Sequence, residues 1–337
     1  MPAVSVIMLN WNHGPWLVEA VRSVLAQSFT DLELIVIDNG STDGSVDQLQ
    51  RAVTDPRLRL FTEPVNRGIS TGINLAIAHA TASWIALTDG DDRSHPLRLE
   101  LQLKALAADR SLDAIATDAE TIDQAGTVTG RIDSTHSPEA IRGQAPFGMP
   151  VVNPTLLARA EWFRRLEYRP AVRWAPDYDF VLRLLEAGAR VGALSLPLYS
   201  YRRHPHSSTV AMPLAHELGT CAIRLAAARR RAGRPERIDE AFATVDARLA
   251  AGMSLGTAFR LYADDFRAEG FPLLAAFHSA LAQRVAPSAG TKLRFARDLI
   301  AAVRADAGSW REALGGMAKG PFWLMLRRAG FPVQPRY

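Results

Sequence analysis

Within its first 120 residues the chain repeats one pattern: a short apolar run, then a stretch with helical spacing, then another apolar run. Residues 4–9, 32–37, 58–62, 84–87 and 113–117 read as strands. Residues 15–27, a short stretch ending at Leu49, residues 70–79 and residues 97–107 read as helices. Leu17, Ala20, Val21 and Val24 share one face of the first helix, and Ile73, Ala76 and Ile77 one face of the third. Strands alternating with helices of this length need crossover connections, which are right-handed and yield a parallel sheet. The strands are nearly continuous in Val, Ile and Leu, as strands covered on both faces are. The expected fold class is therefore α/β, Rossmann-like, a mainly parallel sheet flanked by helices. In such a sheet ligands bind beyond the C-terminal ends of the strands. Asn10–Asn12, Asp38–Ser41 and Asp89–Asp92 each follow a strand directly, so the pattern puts them on one rim.

The rest of the chain divides near residues 210–213. Before that border, "GTVTGRI" (126–132) reads as a hairpin strand. Residues 177–187 read as an amphipathic helix with Phe180, Val181, Leu184 and Leu185 inward, and "RVGALSLPLYSYRRHPHSST" as a strand, a proline turn and a second strand ending in a polar loop. After it, residues 214–232, 238–251, 255–268, 271–285, 291–306 and a short final stretch read as helices. The expected domains are 1–210, carrying the rim, and a helical extension, 211–337. Charge follows the same border: 19 Lys and Arg against 11 Asp and Glu after residue 210 leave +8 there and −4 before it. A basic tail suits an anionic surface, and it equally describes solvated arginine-rich helices. Near the end, "KGPFWLMLRRAGF" (319–331) has the composition of an interfacial membrane contact, or of a helix docked on the first domain or on a second subunit. One cysteine, Cys221, excludes an internal disulfide and a cysteine metal cluster. No apolar run approaches the roughly 18 residues of a membrane span, and no signal peptide is read. The expectation is a cytoplasmic protein, with peripheral membrane contact through the basic helices, and no nucleic-acid partner.

The chemistry concentrates at "WIALTDGDDRSHP" (84–96), where an apolar strand stops at Asp89, Asp91 and Asp92. Like charges this close repel and raise one another's pKa. A hard divalent cation makes the arrangement favourable, because Mg2+ and Mn2+ take oxygen ligands and commonly join one or two carboxylates to substrate phosphates. Asp89-Gly90-Asp91 thus reads as a D-x-D site for a cation and a nucleotide, with Gly90 allowing close backbone approach. A capping cluster for the following helix, with Asp92 or Ser94 as N-cap, accounts for one carboxylate but not for three. In "VIDNGSTDGS", Asp38 ends a strand and is placed to accept from a base N–H or a ribose hydroxyl. The competing reading is a strand-to-helix turn, with Gly40 at positive φ and Thr42 or Asp43 as N-cap.

"VSVIMLNWN", "LELIVIDNGSTDGS", "NRGISTGIN", "WIALTDGDD", "PDYDFVLRLLEAG" and "PLYSYRRHPHSST", in this order over about residues 3–210, resemble the family 2 glycosyltransferases, inverting enzymes with the GT-A nucleotide-sugar fold. The resemblance implies a donor site lined by Leu9, Asn10, Asn12, Asp38, Asn66, Gly68, Asn74, Asp89 and Gly90. Asp89 would address the ribose, Asp91 the metal-bound diphosphate, and His204 of the closing H-P-x-S motif the metal or diphosphate. The later acidic motif maps the catalytic base onto Asp177. That residue also has the reading of a helix N-cap, a role Asp179 could fill instead. Three departures stand out: Pro176 replaces a frequent Glu, Leu9 a frequent Pro, and Ile73 an Arg that faces the diphosphate in many members. Arg67, Arg202 or Arg203 are the candidates to replace that Arg. Asn153, Trp174 and Tyr178 are candidate acceptor-side contacts, and Trp11, like Trp174 and Tyr178, could stack on a base or sugar.

Sugar transfer from such a donor needs a neutralised diphosphate, which a cation supplies, and a base for the acceptor hydroxyl. The expected activity is therefore transfer from a UDP- or dTDP-sugar to a hydroxyl of a glycan or lipid-linked acceptor, in cell-surface polysaccharide synthesis, with Mn2+ or Mg2+. A sugar nucleotidyltransferase would want a basic, glycine-rich loop after the first strand, where this chain has "NWNHGPW" without Lys or Arg. A non-catalytic nucleotide-sugar-binding scaffold is opposed by the intact Asp89, Asp91 and Asp177.

Overall fold

The structure is a computed structural model that describes residues 1–288 and, beyond them, residues 291, 294, 297, 298, 301 and 302. The helix expected over 291–306 falls partly outside the described residues, and the 319–331 segment wholly outside them. The chain forms two compact units. One is Met1–Pro138 with Pro150–Ala211; the other is Glu139–Met149 with the chain from Met212 onward. The Glu139–Met149 segment thus belongs with the helices that follow residue 211, although its sequence position assigns it to the first domain.

In the first unit β1 (Val4–Asn10), β2 (Leu32–Asn39), β3 (Leu58–Glu63), β4 (Trp84–Asp89), β5 (Arg93–Ser94), β6 (Ala114–Ile122), β7 (Val128–Ile132), β8 (Leu157–Arg159) and β9 (Val191–Arg202) make one sheet. Their order is β3-β2-β1-β4-β8-β6-β9-β5, with β7 on the edge of β6. The four strands from β3 to β4 are parallel, as their spacing demands. The register sets Asn10 beside Asp38 and Leu9 beside Asp89, which brings the polar clusters together at one end. Beyond β4 the sheet departs from the expectation: β8 runs antiparallel to both β4 and β6. The "PLYSYRR" run is also continuous with the strand before it. Pro197 sits where the β6–β9 register shifts, between the pairs Thr117↔Leu194 and Asp118↔Pro197, so its missing N–H breaks no regular ladder.

Helices α1 (Leu17–Leu25), α2 (Ser45–Ala52), α3 (Ile69–His79) and α4 (Arg98–Ala108) connect the parallel strands. Then α5 (Pro138–Gln144) leads into the second unit, and α6 (Ala160–Leu166), α7 (Pro176–Glu186) and α8 (Ser208–Ala211) complete the first. Helix α1 buries Leu17, Ala20, Val21 and Val24, the face its spacing predicts, against Val4, Val6 and Met8 of β1 and Leu34 and Val36 of β2. At the N-terminal end of these strands Glu33 is buried and fully engaged. Its Oε1 accepts from Ser5 Oγ at 2.7 Å and from Thr81 N and Oγ1 at 2.8 and 2.7 Å, and its Oε2 pairs with Arg59 Nη1 at 2.6 Å. Burial alone would raise the Glu33 pKa, but the Ser5, Thr81 and Arg59 hydrogen bonds outweigh it and hold the carboxyl below its usual range.

The second unit contains α9 (Pro213–Arg231), α10 (Ile238–Ala250), α11 (Leu255–Ala268) and α12 (Pro272–Val285). Leu218, Cys221, Ala222, Ile223 and Ala226 form the buried stripe of α9. His278 of α12 is fully buried, stacks on Phe266 at 4.6 Å and has Nδ1 2.8 Å from the Leu274 carbonyl. Burial, then the neighbouring Arg224 charge, push its pKa down to about 3. Phe147, from the early segment, packs its ring 5.4 Å from that of Phe277, and its carbonyl accepts from Arg224 Nη2 at 2.6 Å.

Candidate functional site

The loops after β1, β2 and β3 are stitched together by side-chain amides. Asn10, with no exposed surface, donates from Nδ2 to Asp38 Oδ1 at 2.7 Å and to the Ser41 and Ser45 hydroxyls at 3.1 Å each. Asp38 Oδ2 accepts from Ser41 N at 3.1 Å. Asn39 donates to Asn66 Oδ1 at 3.0 Å and accepts from Arg67 N at 3.0 Å; Asn66 Oδ1 also accepts from Gly68 N at 2.8 Å. Gly40 has φ +76°, and a Cβ there would lie 2.5 Å from the Val65 carbonyl carbon, so no other residue fits. Asn12, itself at φ 58°, accepts from Thr42 N at 2.9 Å and donates its own N–H to Ser41 Oγ at 2.9 Å. Asp43 accepts from Ser45 N and Gly14 N at 3.0 and 2.7 Å, fixing the start of α2 to the loop before α1.

Of the residues expected to line a donor, several therefore hold the frame. The amides of Asn10, Asn12 and Asn66 bond protein atoms. Asn74 corrects the expectation most clearly: its Nδ2 donates to Tyr168 O at 2.7 Å and its Oδ1 accepts from Tyr168 N at 2.8 Å, so its amide clamps a neighbouring loop. Leu9 packs under α3, where a Cβ on Gly72 would lie 2.4 Å from its Cδ1. Trp11 stands 49% exposed at the rim.

The acidic centre follows β4. Carboxylate oxygens of Asp89, Asp91 and Asp92 lie within 4.8 Å of one another. Asp89 is open to solvent but ringed by protein; its backbone N–H donates to Tyr199 Oη at 3.0 Å. Loss of hydration, then repulsion from Asp91 and Asp177, push its pKa up to about 7, against the partial relief of Arg98. Asp92 is buried; one oxygen accepts from Arg202 N at 2.6 Å, while Oδ2 has no partner in hydrogen-bond geometry among the described residues. Burial, then Asp91 and Asp89, raise its pKa well above the usual value. Asp91 differs. Burial opposes its charge, but the His204 hydrogen bond and the nearby His13 hold its carboxyl below the ordinary range. His204 Nε2 is 2.8 Å from Asp91 Oδ2, and His13 Nε2 is 4.0 Å from the same oxygen. The His204 ring, nearly inaccessible, rests 4.4 Å from the Trp16 ring, and its buried Nδ1 has no partner in hydrogen-bond geometry among the described residues. A Cβ on Gly90 would meet His13 Nδ1 at 3.0 Å and Leu9 O at 3.1 Å.

Neither Asp92 nor Ser94 caps α4. Leu97 precedes the helix, Asp92 takes Arg202 N, and Ser94 Oγ accepts from Arg98 Nη1 at 3.1 Å. Arg202 likewise departs from the expected diphosphate contact. It is 1% exposed, and its guanidinium donates to Asp91 O, Asp123 O, Gln124 O and Glu19 Oε2 at 2.7–3.1 Å, locking the turn that carries the carboxylates. Arg67 is exposed and leans on Glu63 at 3.3 Å, and Arg203 is exposed. Asp177 occupies the first turn of α7, half-buried, close enough for its charge to raise the pKa of Asp89. Asp179 does not cap that helix; fully buried, it pairs with Arg169 and with Arg183 Nε at 2.8 Å. Tyr178 is 2% exposed and belongs to the core, contrary to an acceptor-side role. Trp174 is half-buried before α7, and Asn153 opens a short 3-10 turn, Asn153–Thr155.

Sequence reasoning passed over His13, Arg98, Tyr168 and Tyr199. His13 was within reach, since it follows Asn12 in a rim loop. Arg98 shares the inward face of α4 with Leu99, Gln102 and Leu106. It is completely buried, donates to Leu87 O at 2.7 Å and Pro154 O at 3.2 Å, and lies 5.3 Å over the Tyr199 ring. Burial draws its pKa down to about 10, against the stabilising charges of Tyr199, Asp89 and Asp92. Tyr168 and Tyr199 read as ordinary core aromatics.

Comparison with known proteins identifies the family and the fold. Residues 5–145 match the model of the family described as Glycosyl transferase family 2. EpsE of Bacillus subtilis (strain 168), which bears a glycosyltransferase name, is 34% identical over 206 residues, covering 60% of this chain and 73% of EpsE. A chondroitin synthase of Pasteurella multocida (strain Pm70) is 27% identical over 56% of this chain, which spans only 19% of that protein. Among solved structures, S. aureus TarS 1–349 in complex with UDP superposes with a TM-score of 0.58 at 16% identity, covering 88% of this chain and 89% of that one. The mannosyltransferase PcManGT from Pyrobaculum calidifontis, in complex with GDP-Man and Mn2+, gives 0.53 at 20% identity, covering 94% and 86%. At these identities the structural likeness speaks for the fold alone.

Proposed function

The chain belongs to glycosyltransferase family 2, and from that premise we propose that it moves a sugar from a nucleoside-diphosphate sugar to a hydroxyl of a glycan or lipid-linked acceptor, inverting the anomeric carbon with the help of Mn2+ or Mg2+. The observation that carries this reading is the carboxylate cluster at Asp89, Asp91 and Asp92, near the charge of Asp177, in which Asp89 and Asp92 stay pushed up in pKa although His204 relieves Asp91. The Asp89, Asp91 and Asp92 carboxylates are an all-oxygen donor set, and Asp92 Oδ2 is buried with no partner in hydrogen-bond geometry among the described residues, so the residues present fit a hard divalent cation. Asp91 and Asp89 would hold it, with His204 beside Asp91. When bound, a cation there supplies positive charge opposite the diphosphate leaving group.

The chain's own residues account for the rest. Asp38 and the Gly40–Ser41 turn form the base-and-ribose end of the rim, kept rigid by Asn10, Asn39 and Asn66. Asp177 accepts the proton of the acceptor hydroxyl as that oxygen attacks, and direct attack gives inversion without a covalent intermediate. Arg202 and Arg98 keep the carboxylate turn in place from below. UDP or dTDP is the favoured nucleotide; the UDP complex of TarS supports it, and GDP is the alternative raised by the mannosyltransferase. The chondroitin synthase relative supports a polysaccharide as the product, which we take to be destined for the cell surface. No helix among the described residues is long and apolar enough to cross a membrane. We place the enzyme at the cytoplasmic side, with its basic helices available to an anionic membrane. A nucleotidyltransferase reading is disfavoured because the loop after β1 carries no Lys or Arg and is closed onto Thr42 and Asp43. Thermal shift with UDP, dTDP and GDP, each with and without Mn2+, tests the proposal, since a ligand that binds the native state raises its stability. A Mn2+-dependent rise with one nucleotide, followed by turnover of its sugar, is expected. No response to any of them, and no turnover, would sink it.

A further inference from the structure

The helix that carries Asp177 starts behind a residue that cannot cap it. Ala175 stands just ahead of α7, has no side-chain oxygen to offer the first turn, and takes φ 54° and ψ 46°. Glu167, which follows α6, takes φ 46° and ψ 161°. Both are non-glycine residues at positive φ, a conformation that costs free energy and persists where surrounding contacts impose it. The loop between them, residues 168–174, therefore needs an outside hold, and the structure shows two.

The first comes from α3. Asn74 meets the Tyr168 backbone with both ends of its amide: Nδ2 donates to Tyr168 O at 2.7 Å, and Oδ1 accepts from Tyr168 N at 2.8 Å. The second comes from α7 itself. Asp179 has no exposed surface, and its carboxylate accepts from Arg169 Nε at 2.9 Å, from Arg169 Nη2, and from Arg183 Nε at 2.8 Å. Arg183 reaches back to the start of the loop, donating from Nη1 to Leu166 O at 2.5 Å and from Nη2 to Glu167 O at 2.7 Å. The Tyr168 ring adds a flat contact, parallel to the Phe180 ring of α7 with centroids 4.7 Å apart.

These contacts share one stretch of backbone. Asn74 grips residue 168, while Asp179 and Arg183 grip residues 166, 167 and 169. A continuous run of hydrogen bonds thus joins α3, which starts directly after Gly68 of the rim, to the first turn of α7, which holds both Asp177 and Asp179. A general base must stay within hydrogen-bond reach of the hydroxyl it deprotonates, and a misplacement of about 1 Å costs rate steeply.

We propose that Asn74 and the Asp179, Arg169 and Arg183 cluster are positioning residues: they brace α7 against α3 and so set where Asp177 stands relative to a donor on the rim. The proposal rests on the glycosyltransferase reading, with Asp177 as its base. It assigns Asn74 to the chemical step, where the N-x-G-x(5)-N motif would assign it to donor affinity.

Two variants test it. Asn74→Ala removes the grip on Tyr168, and Arg169→Lys keeps a cation beside Asp179 without the guanidinium fork. With Mn2+ present, UDP, dTDP and GDP are titrated calorimetrically, and turnover of their hexose conjugates is followed as release of nucleoside diphosphate. Each variant should bind nucleotide as wild type does and lose about 10- to 100-fold in kcat. The decisive reading is the double-mutant cycle with Asp177→Asn. A residue that acts through Asp177 has nothing left to act on once the base is gone, so adding Asn74→Ala to Asp177→Asn should change kcat by less than about twofold. If Asn74→Ala does not fold, Arg169→Lys carries the same cycle. The proposal is overturned if kcat per folded molecule stays at the wild-type level, if nucleotide affinity falls with it, or if the two substitutions multiply. Failure of both variants to fold also overturns it, because the contacts would then serve the fold and not the base. A wild type that binds none of the nucleotides and turns over none of the conjugates overturns the parent reading and this one with it; an active wild type with indifferent variants overturns this one alone.

Discussion

Glu33 and the Asp89–Asp92 turn occupy opposite ends of the same parallel strands, and both bring carboxylates into protein surroundings. At the Glu33 end every acceptor position meets a donor, and the hydrogen bonds overcome the burial penalty, so the pKa falls. At the other end three acids face one another, and two of the three have pKa values driven upward. Arg98 lies beneath them and Arg202 beside them, but both guanidiniums donate mainly to backbone carbonyls that shape the turn. A folding chain gains nothing from leaving that repulsion in place. The contrast separates a carboxylate that holds the fold from carboxylates kept ready for something else, and it does so without any bound molecule.

Substitutions at the two ends test the contrast. The largest effect is expected at Asp177. Asp177→Asn should lower kcat by about 10²- to 10⁴-fold, with thermal stability and nucleotide affinity close to wild type; a comparable loss of nucleotide binding would remove it from the chemistry. Next is Glu33→Gln, which breaks an ion pair between a buried carboxylate and a partly exposed Arg59 and should cost about 1.5–3 kcal/mol in urea unfolding, while activity per folded molecule is retained. A drop in specific activity there would blur the distinction between the two ends. Third, Mn2+ at a hundred times its Kd should stabilise wild type by about 2.7 kcal/mol and Asp91→Asn by far less. Equal stabilisation would place the ion elsewhere.

The two ends should also answer pH in opposite senses. Asp89 has a folded pKa near 7 against an ordinary 3.8, so the folded chain binds its proton more tightly than the unfolded chain does. In EDTA the stability advantage of Asp89→Asn over wild type should therefore grow as pH rises from about 4 to about 7 and level off above. Glu33 has a lowered folded pKa, so its contribution is complete above 4.5 and is lost as pH falls through the folded value; wild type and Glu33→Gln should converge in acid. The smallest effect is that of Gly90→Ala, a loss of about 1 kcal/mol from crowding, as its methyl group presses on His13 Nδ1 and Leu9 O.

Much of the first unit could be read from sequence because its signals are local. The apolar strands, the inward faces of α1 and α7, and the polar residues that end β1, β2 and β4 all follow from period and order. What escaped depends on distant pairing. Strand β8 is three residues long and takes its direction from neighbours on both sides, so nothing within it announces antiparallel pairing. Arg98 and Arg202 look like surface cations, but each is buried because loop carbonyls supply it with acceptors. Asn74 reads as a ligand contact by motif, and its amide is taken by a backbone ninety-four positions away. Asp179 looks like a helix cap, and two arginines claim it. Along the helical stretch that begins at Pro213 the Ala and Leu spacing sufficed, whereas the membership of Glu139–Met149 in that unit rests on contacts such as Phe147 with Arg224 and Phe277.

That last arrangement bears on how the molecule is made. Synthesis proceeds from the N-terminus, and domains ordinarily settle as they emerge from the ribosome. Here Phe147 leaves the tunnel long before its companions on α9 and α12 exist, so its contacts with Arg224 and Phe277 cannot form until those helices have been made. Docking of the early segment is therefore a post-translational event that must wait for the last helices of its own unit.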